Sequence, residues 1–427
     1  MNNDYVPLTL FGLPVLDANG VPIEVKDMEV EPYTEVAKTR LVIIHDTDAD
    51  GICAAWCINK GFKDDYNSVL LIPQRAGTNT IPEGLTENDT VFMVDRTYPW
   101  AVLFQLSQQV FSVTVIDHHK SAMNDYMHEI DTKDITVDSH TFSLTESSIL
   151  FDYGNITVNI DTNHSACMLA HLWVLEHGTD PDTSVGTPWF VSYIEDRDIW
   201  KWNLPDSKEI NAGLHYYGHT FERYDRYVLC EIPGYSLDNI KGDYIGTIRS
   251  IGSVVLNTQL KIIKSIAHGP TVGFKQLNIV SDNLYRGPDL DGKDELRFAI
   301  VCVPFTLISD FGSYMLNYNG VEDITECAKV GKVANPFITP DVVLCYNEVD
   351  EGFTYSIRSK YDMIWLAKMF NGGGHPNACG FTTPVPPNAI LEVVKFRFAN
   401  PEITVDIGEV DNIISPSFTD KLISNGF

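Results

Sequence analysis

Leu41-Val42-Ile43-Ile44-His45-Asp46-Thr47-Asp48-Ala49-Asp50-Gly51 decides the reading of this chain. The run LVII is wholly apolar, as a strand covered on both faces of a parallel sheet must be. Three aspartates follow at alternate positions, so an extended backbone would aim Asp46, Asp48 and Asp50 to one side. Carboxylates so placed repel one another unless a cation neutralises them. The region beyond the carboxyl end of a parallel strand is also where open α/β sheets bind ligands. A solvated acidic turn capping the next helix is the competing explanation, since Asp is a favoured N-cap. Gly51 then opens GICAAWCINKGF, which has helical composition and spacing.

Working outward, the same rhythm repeats. VFMVD (91–95) reads as a strand, the stretch near Trp100–Val110 as a helix, and VTVID (113–117) as another strand. Strand, helix, strand at this spacing predicts an open, mostly parallel α/β sheet. Residues 129–160, rich in Thr, Asp and Ser, predict a loop or hairpin insertion, and Asn163–Gly178 a helix. Asp238–His268 holds a long amphipathic pattern that predicts a helix joining two domains. After it, Leu296–Pro304, Asp341–Tyr346 and Phe353–Ile357 read as strands, and Met363–Phe370 as a helix ending in NGGGHPNACGF. The expected organisation is an extension at 1–38, a first α/β domain at 39–235, a helical linker at 236–269, a smaller α/β domain at 270–385 and a tail at 386–427. The 427 residues fit two domains, because one core rarely grows past about 250–300 residues.

Composition narrows the function. The 30 Lys+Arg against 58 Asp+Glu give a net charge of −28. That excludes a broad basic surface for long nucleic acid, and leaves a small anion or a short oligonucleotide held at one site. No stretch approaches the ~20 apolar residues of a membrane span. MNNDYVPLTLFGLPVLD has no basic segment ahead of its apolar residues, so a cytoplasmic location is expected. The cysteines are scattered, with Cys53 and Cys57 the one close pair, which predicts reduced thiols and no zinc framework.

Further motifs carry chemistry. Asp95 ends an apolar strand. Asp117-His118-His119 ends another, and suits a site where one imidazole binds metal and its neighbour contacts substrate. Glu195-Asp196-Arg197-Asp198 brackets an arginine with carboxylates, for which a local salt-bridge cluster is the competing explanation. Together these hard oxygen and imidazole donors suit Mn²⁺ or Mg²⁺, and an aspartate-rich set with few histidines fits a two-metal centre. Downstream, Arg358-Ser359 and Gly372-Gly373-Gly374-His375 offer donors and exposed backbone N–H groups to an anion. The aromatics Trp189, Phe190, Tyr193, Trp200 and Trp202 either stack a base or pack a core.

HDTDADG, VFMVD, VIDHH and YIEDRD resemble, in that order, the four motifs of the DHH phosphoesterase superfamily. SIRS with NGGGHPNACGF resembles the signature of its companion DHHA1 domain. The resemblance covers roughly residues 40–385. EDRDIWKWNLPDSKEINAGL is most similar to the NrnB-like branch of oligoribonucleases and cyclic-nucleotide phosphodiesterases, and less so to RecJ exonucleases. The resemblance implies a Mn²⁺-dependent phosphodiesterase using two ions, with Mg²⁺ as the alternative metal. It assigns Asp46, Asp48, Asp50, Asp95, His118 and Asp196 as ligands, with Asp95 bridging. His45 competes with Asp46 for the first position. His119 would contact the scissile phosphate, and Arg358, Ser359, Gly373, Gly374 and His375 would grip the substrate. Asp117 and Asp198 would orient neighbouring groups. The implied substrates are short oligonucleotides, or linear or cyclic dinucleotides. The alternatives are a RecJ-like single-strand exonuclease, a 3′-phosphoadenosine 5′-phosphate phosphatase, or a non-catalytic nucleotide-binding scaffold. A homodimer is a further expectation from the family.

Overall fold

The computed structural model describes residues 40–75, 77–132, 142–178, 186–229, 244–269, 272–278, 295–317, 339–350 and 352–399. It also describes four short strands near the start. β1 (Tyr5–Pro7) pairs with β4 (Glu24–Lys26), and β2 (Thr9–Leu10) with β3 (Leu13–Pro14).

The apolar runs become the centre of a seven-stranded sheet. β5 (Arg40–His45) lies between β6 (Ser68–Pro73) and β7 (Asp89–Val94), and β7 pairs with β8 (Ser112–Asp117), all parallel. The segment expected as an insertion supplies β9 (Ser143–Leu144), β10 (Ser148–Tyr153) and β11 (Ile156–Asp161). β11 adds parallel to β8, and the order is β6-β5-β7-β8-β11-β10-β9. From β5 the chain first moves outward to β6 and then returns to the other side at β7. The carboxyl ends of β5 and β7 therefore flank the point where strand order reverses, which is where such sheets form ligand crevices.

Helices cover both faces. α1 (Ala49–Phe62), α4 (Ala166–His177) and α5 (Trp189–Asp198) pack one face with Cys53, Trp56, Ile58, Leu169 and Phe190. α2 (Trp100–Ser107) and α3 (Lys120–Asp131) cover the other with Leu103, Leu106, Met123 and Tyr126. α6 (Ser207–Tyr217) and α7 (Phe221–Leu229) extend the first layer. α8 (Tyr244–Ala267) follows, a 24-residue helix where the linker was expected. At Gly252 it meets α6 so closely that a Cβ would sit 1.7 Å from the Glu209 carbonyl oxygen. Any larger residue there would force the two helices apart.

The second sheet is mixed. β12 (Gly273–Asn278), β13 (Glu295–Cys302), β14 (Val342–Val349), β15 (Gly352–Ser359), β16 (Gly373–His375) and β17 (Ala378–Thr383) run in the order β12-β13-β14-β15-β17-β16. Only the β13–β14 pair is parallel. α9 (Ile308–Asn317) covers one face, with Phe311 and Met315 buried. α10 (Ile364–Lys368) and α11 (Ile390–Ala399) cover the other. Ile390, Leu391 and Val394 are buried in this core, so the second unit takes in residues beyond the boundary drawn at 385. Residues 400–427 of the expected tail and most of 1–38 lie outside the described residues. Among the described residues, no helix is long and apolar enough to cross a membrane.

Candidate metal centre

The site grows from the ends of β5, β7 and β8. After β5 the chain turns sharply into α1, and a Cβ at Gly51 would lie 2.6 Å from the Asp46 carbonyl oxygen, so only glycine fits there. The three alternating aspartates do not share one direction, because the strand ends at His45, ahead of all three. Asp48 caps α1, its carboxylate accepting the Gly51 N–H at 3.0 Å. Asp50 lies in the first helical turn and is buried. Its two oxygens accept the N–H groups of Ala166 at 2.7 Å and Cys167 at 2.9 Å, the first amides of α4. A helix N-terminus presents such N–H groups to an acceptor, and here they fix the orientation of the Asp50 side chain. Asp46 stays at the rim, accepting the Thr47 N–H. Burial and then the charge of Asp48 push its pKa up. The His45 ring contacts the Asp46 carbonyl oxygen, 2.6 Å from Nδ1.

Asp95, just past β7, has φ 57°. A non-glycine residue in left-handed backbone costs about 1–3 kcal/mol, and such strain gathers at functional sites. Here it turns a buried carboxylate inward. Oδ1 lies 3.2 Å from His118 Nε2. Burial raises the Asp95 pKa well above the carboxylate range, and Asp48, Asp50, Asp198 and Asp117 raise it further.

At the end of β8, Asp117 organises the histidine pair. Its Oδ1 accepts the N–H groups of His118 at 2.7 Å and His119 at 3.3 Å, and lies 2.7 Å from His119 Nδ1. Its Oδ2 accepts the Thr97 hydroxyl at 2.6 Å. Burial alone would disfavour charge on both partners. The Asp117–His119 pairing outweighs it, holding Asp117 below its usual range and raising His119 to about 9. His119 is therefore an imidazolium at neutral pH. His118 is the reverse: burial, then the positive charge of His119, lowers its pKa. Its neutral ring aims Nε2 at Asp95 (3.2 Å), Asp198 Oδ2 (3.4 Å) and Asp50 Oδ2 (3.6 Å).

This is the donor set of a hard divalent cation: one imidazole nitrogen among two buried carboxylates and a half-buried third, with no thiol. Ligand atoms of Asp50, His118 and Asp198 lie within 4.8 Å of one another, as do those of Asp95, Asp117, His118 and His119. Asp198 Oδ2 is buried without a hydrogen-bond partner, and burial followed by Asp50 and Asp48 raises its pKa well above normal. A cation would relieve the carboxylates and satisfy that oxygen together.

On α5 the two carboxylates lie differently from the expectation. Asp196, expected as the last ligand, is turned away from the cluster. Its carboxylate accepts the N–H groups of Asn203 at 2.8 Å and Leu204 at 3.2 Å, folding the loop after α5. Asp198, expected only to orient a neighbour, faces His118 instead.

The second sheet contributes one side chain directly. The His375 ring lies 4.8 Å from that of His118 and stacks on His119 at 4.9 Å with 16° between planes. Burial, then the charge of His119, lowers its pKa and keeps it neutral. β16 reaches the first domain through the Gly374 N–H, which donates to Ser121 Oγ at 3.1 Å, and α10 through a Lys368–Asp125 ion pair. Gly374 has φ 128°, and a Cβ on Gly373 would press on Ser121 Oγ at 3.2 Å, so both glycines serve this close approach.

Arg358 and Ser359 are otherwise engaged. Arg358 donates to the Ile357 carbonyl and to Ser309 Oγ, both at 2.8 Å, with its stem against Gly312. The buried Ser359 hydroxyl donates to the Asp341 carbonyl at 3.1 Å and accepts the Tyr361 N–H at 3.0 Å. These bonds tie both residues to the edge of the second sheet. Sequence reasoning also missed Arg96. This buried residue donates to the carbonyls of Gln74, Arg75 and Thr78, and its charge reaches Asp46, Asp117 and Asp95. Its one signal was its place next to Asp95.

No family model matches the chain. An uncharacterised protein of Acanthamoeba polyphaga mimivirus is 24% identical over 353 residues, covering 80% of this chain and 66% of the relative. The chain therefore spans just under two thirds of that protein's length. Among solved structures, the chain is similar to the DHH domain of a member of a ribosomal-protein family. That match has 13% identity over 86% of this chain and 88% of the other, with a TM-score of 0.42. It is also similar to RecJ in complex with Mn²⁺ from Thermus thermophilus, at 13% identity over 85% and 52%, TM-score 0.41. A second RecJ structure, bound to manganese, matches at 14% identity over 87% and 93%, TM-score 0.40.

Proposed function

We propose that this chain is a metal-dependent phosphoesterase of the DHH type that hydrolyses short oligonucleotides, or linear or cyclic dinucleotides. One observation carries the reading: neutral His118 Nε2 faces Asp50, Asp95 and Asp198 at 3.2–3.6 Å in a buried crevice, with charged His119 beside it. The carboxylates and His118 would hold divalent cations, Mn²⁺ first and two in number. Bound there, the metal would supply Lewis-acid polarisation of a phosphoryl oxygen and an activated water. The imidazolium of His119 supplies a charged donor to a phosphate oxygen, and Asp117 fixes its orientation. His375 and the glycine strand close over the same point from the second domain and exclude water.

The net charge of −28 favours short substrates, because a long strand needs a basic track. A non-catalytic scaffold has no need for two buried carboxylates and a half-buried third around one imidazole, an arrangement that costs stability whenever the cation is missing. The test is hydrolysis in Mn²⁺ of a panel: a dinucleotide, a pentamer, a long single strand, a cyclic dinucleotide and 3′-phosphoadenosine 5′-phosphate. Turnover confined to the short members is the expected result. Preference for the long strand would make it a RecJ-like exonuclease, and preference for the last compound a nucleotide phosphatase. Tight Mn²⁺ binding with no turnover of any member would make it a scaffold.

A further inference from the structure

Just beyond Asp198 the backbone does something that the metal centre does not require. Trp200 and Trp202 both sit in left-handed conformation, with φ 59° and 53°. Bulky side chains enter that region only where their surroundings impose it. Asp196 imposes it here. Its carbonyl accepts the N–H groups of Lys201 at 2.9 Å and Trp202 at 3.2 Å, while its carboxylate holds Asn203 and Leu204.

The gain is placement. The other aromatics of this stretch are consumed by packing: Phe190 is fully buried, and Trp189 and Tyr193 lie against the same core. Trp200 and Trp202 are neither in that core nor packed on it. Their rings stand 5.0 Å apart at 75°, and Trp200 is 41% exposed. Lys208 Nζ lies 5.4 Å from the Trp202 ring, adding positive charge beside the indoles. Trp200 follows two residues after Asp198, whose Oδ2 is 3.4 Å from His118 Nε2. At ~3.8 Å per residue, its backbone is within ~8 Å of that of Asp198.

We propose that the Trp200–Lys201–Trp202 turn is a nucleobase subsite, in which Trp200 stacks on the base next to the phosphate held at the metal centre. The proposal rests on the phosphodiesterase reading and deepens it, making the enzyme one that recognises nucleotides rather than any phosphoester. Aromatic stacking suits the task because every base offers a π-face, so it holds a nucleotide without selecting its sequence.

Two variants of the full chain test it. Trp200→Gly removes the ring and accepts the left-handed backbone freely, and Trp200→Phe keeps a stacking face. The substrates are a dinucleotide and the same dinucleotide lacking the base on one side. Trp200→Gly is expected to raise KM for the dinucleotide about tenfold, with kcat within about twofold, and Trp200→Phe to restore most of the loss. The ratio of KM values between the abasic and complete substrates should collapse toward one in Trp200→Gly. An unchanged KM, or an equal rise for both substrates, overturns the subsite. A second readout needs no turnover: adenosine 5′-monophosphate should quench tryptophan fluorescence in the natural chain and lose that effect in Trp200→Gly. Quenching of that kind without hydrolysis of any panel member would keep the subsite and overturn the phosphodiesterase reading. Absence of quenching in the natural chain overturns the subsite.

Discussion

The carboxyl edge of the first sheet and the facing edge of the second solve opposite problems. At the first, polar groups are buried without settlement: Asp95 is strained, Asp198 Oδ2 has no partner, and His118 Nε2 faces three carboxylates. At the second, Arg358, Ser359 and Asn377 bond to their own neighbours, and among the described residues His375 presents its ring to the other side. An edge that leaves its groups unsettled awaits a ligand, whereas one that settles them serves as a shaped wall. The contrast predicts where substitutions will cost activity and where they will cost stability.

The largest effect belongs to Asp95. Asn tolerates left-handed backbone, so Asp95→Asn should fold, melt at or above the natural temperature without metal, and lose more than about 10²–10³-fold in kcat. Near-normal turnover of Asp95→Asn in Mn²⁺ would remove the residue from the metal centre. The α5 pair comes next. Asp198→Asn should abolish the rise in melting temperature on adding Mn²⁺. Asp196→Asn should keep that rise while losing about 1–3 kcal/mol of stability, since it weakens hydrogen bonds to a buried carboxylate. If the two phenotypes were exchanged, the reassignment of the ligand from Asp196 to Asp198 would be wrong.

Across the crevice, His375→Ala should lower kcat/KM about tenfold at little cost to melting temperature. Arg358→Ala should mainly destabilise, by stripping Ser309 and the Gly312 contact; the reverse pattern in thermal melts and kinetics would erase the contrast between the edges. The smallest effect concerns a histidine of neither edge. Burial, and then the charges of His215 and Arg197, lower the His219 pKa from 6.5 to about 4. A depressed histidine contributes stability that is full above the unfolded value of 6.5 and is lost as pH falls toward about 4. Denaturant melts across that window should show the loss, and His219→Gln should flatten it.

Much of this was legible in the chain. The apolar runs LVII, VFMV and VTVI predicted buried parallel strands, and an acidic residue directly after such a run sits at a carboxyl edge for purely topological reasons. Choosing between Asp196 and Asp198 was beyond the sequence. Two residues apart on one helix, they point about 200° from each other, and only the packing of α5 decides which faces β8. Arg358 and Ser359 read as anion donors because their types are, while two of the acceptors they bond, the Ser309 hydroxyl and the Asp341 carbonyl, lie far away in sequence. Trp200 and Trp202 left two roles open, since nothing local announces the left-handed turn that Asp196 imposes.

The account stands most directly on metal binding by the unsettled edge. Calorimetric titration of the metal-stripped chain with Mn²⁺, beside Asp198→Asn, measures it. Saturable binding by the natural chain, weakened at least about tenfold in the variant, is the predicted result. No binding by the natural chain, or equal binding by both, would contradict a metal centre built on Asp50, Asp95, His118 and Asp198.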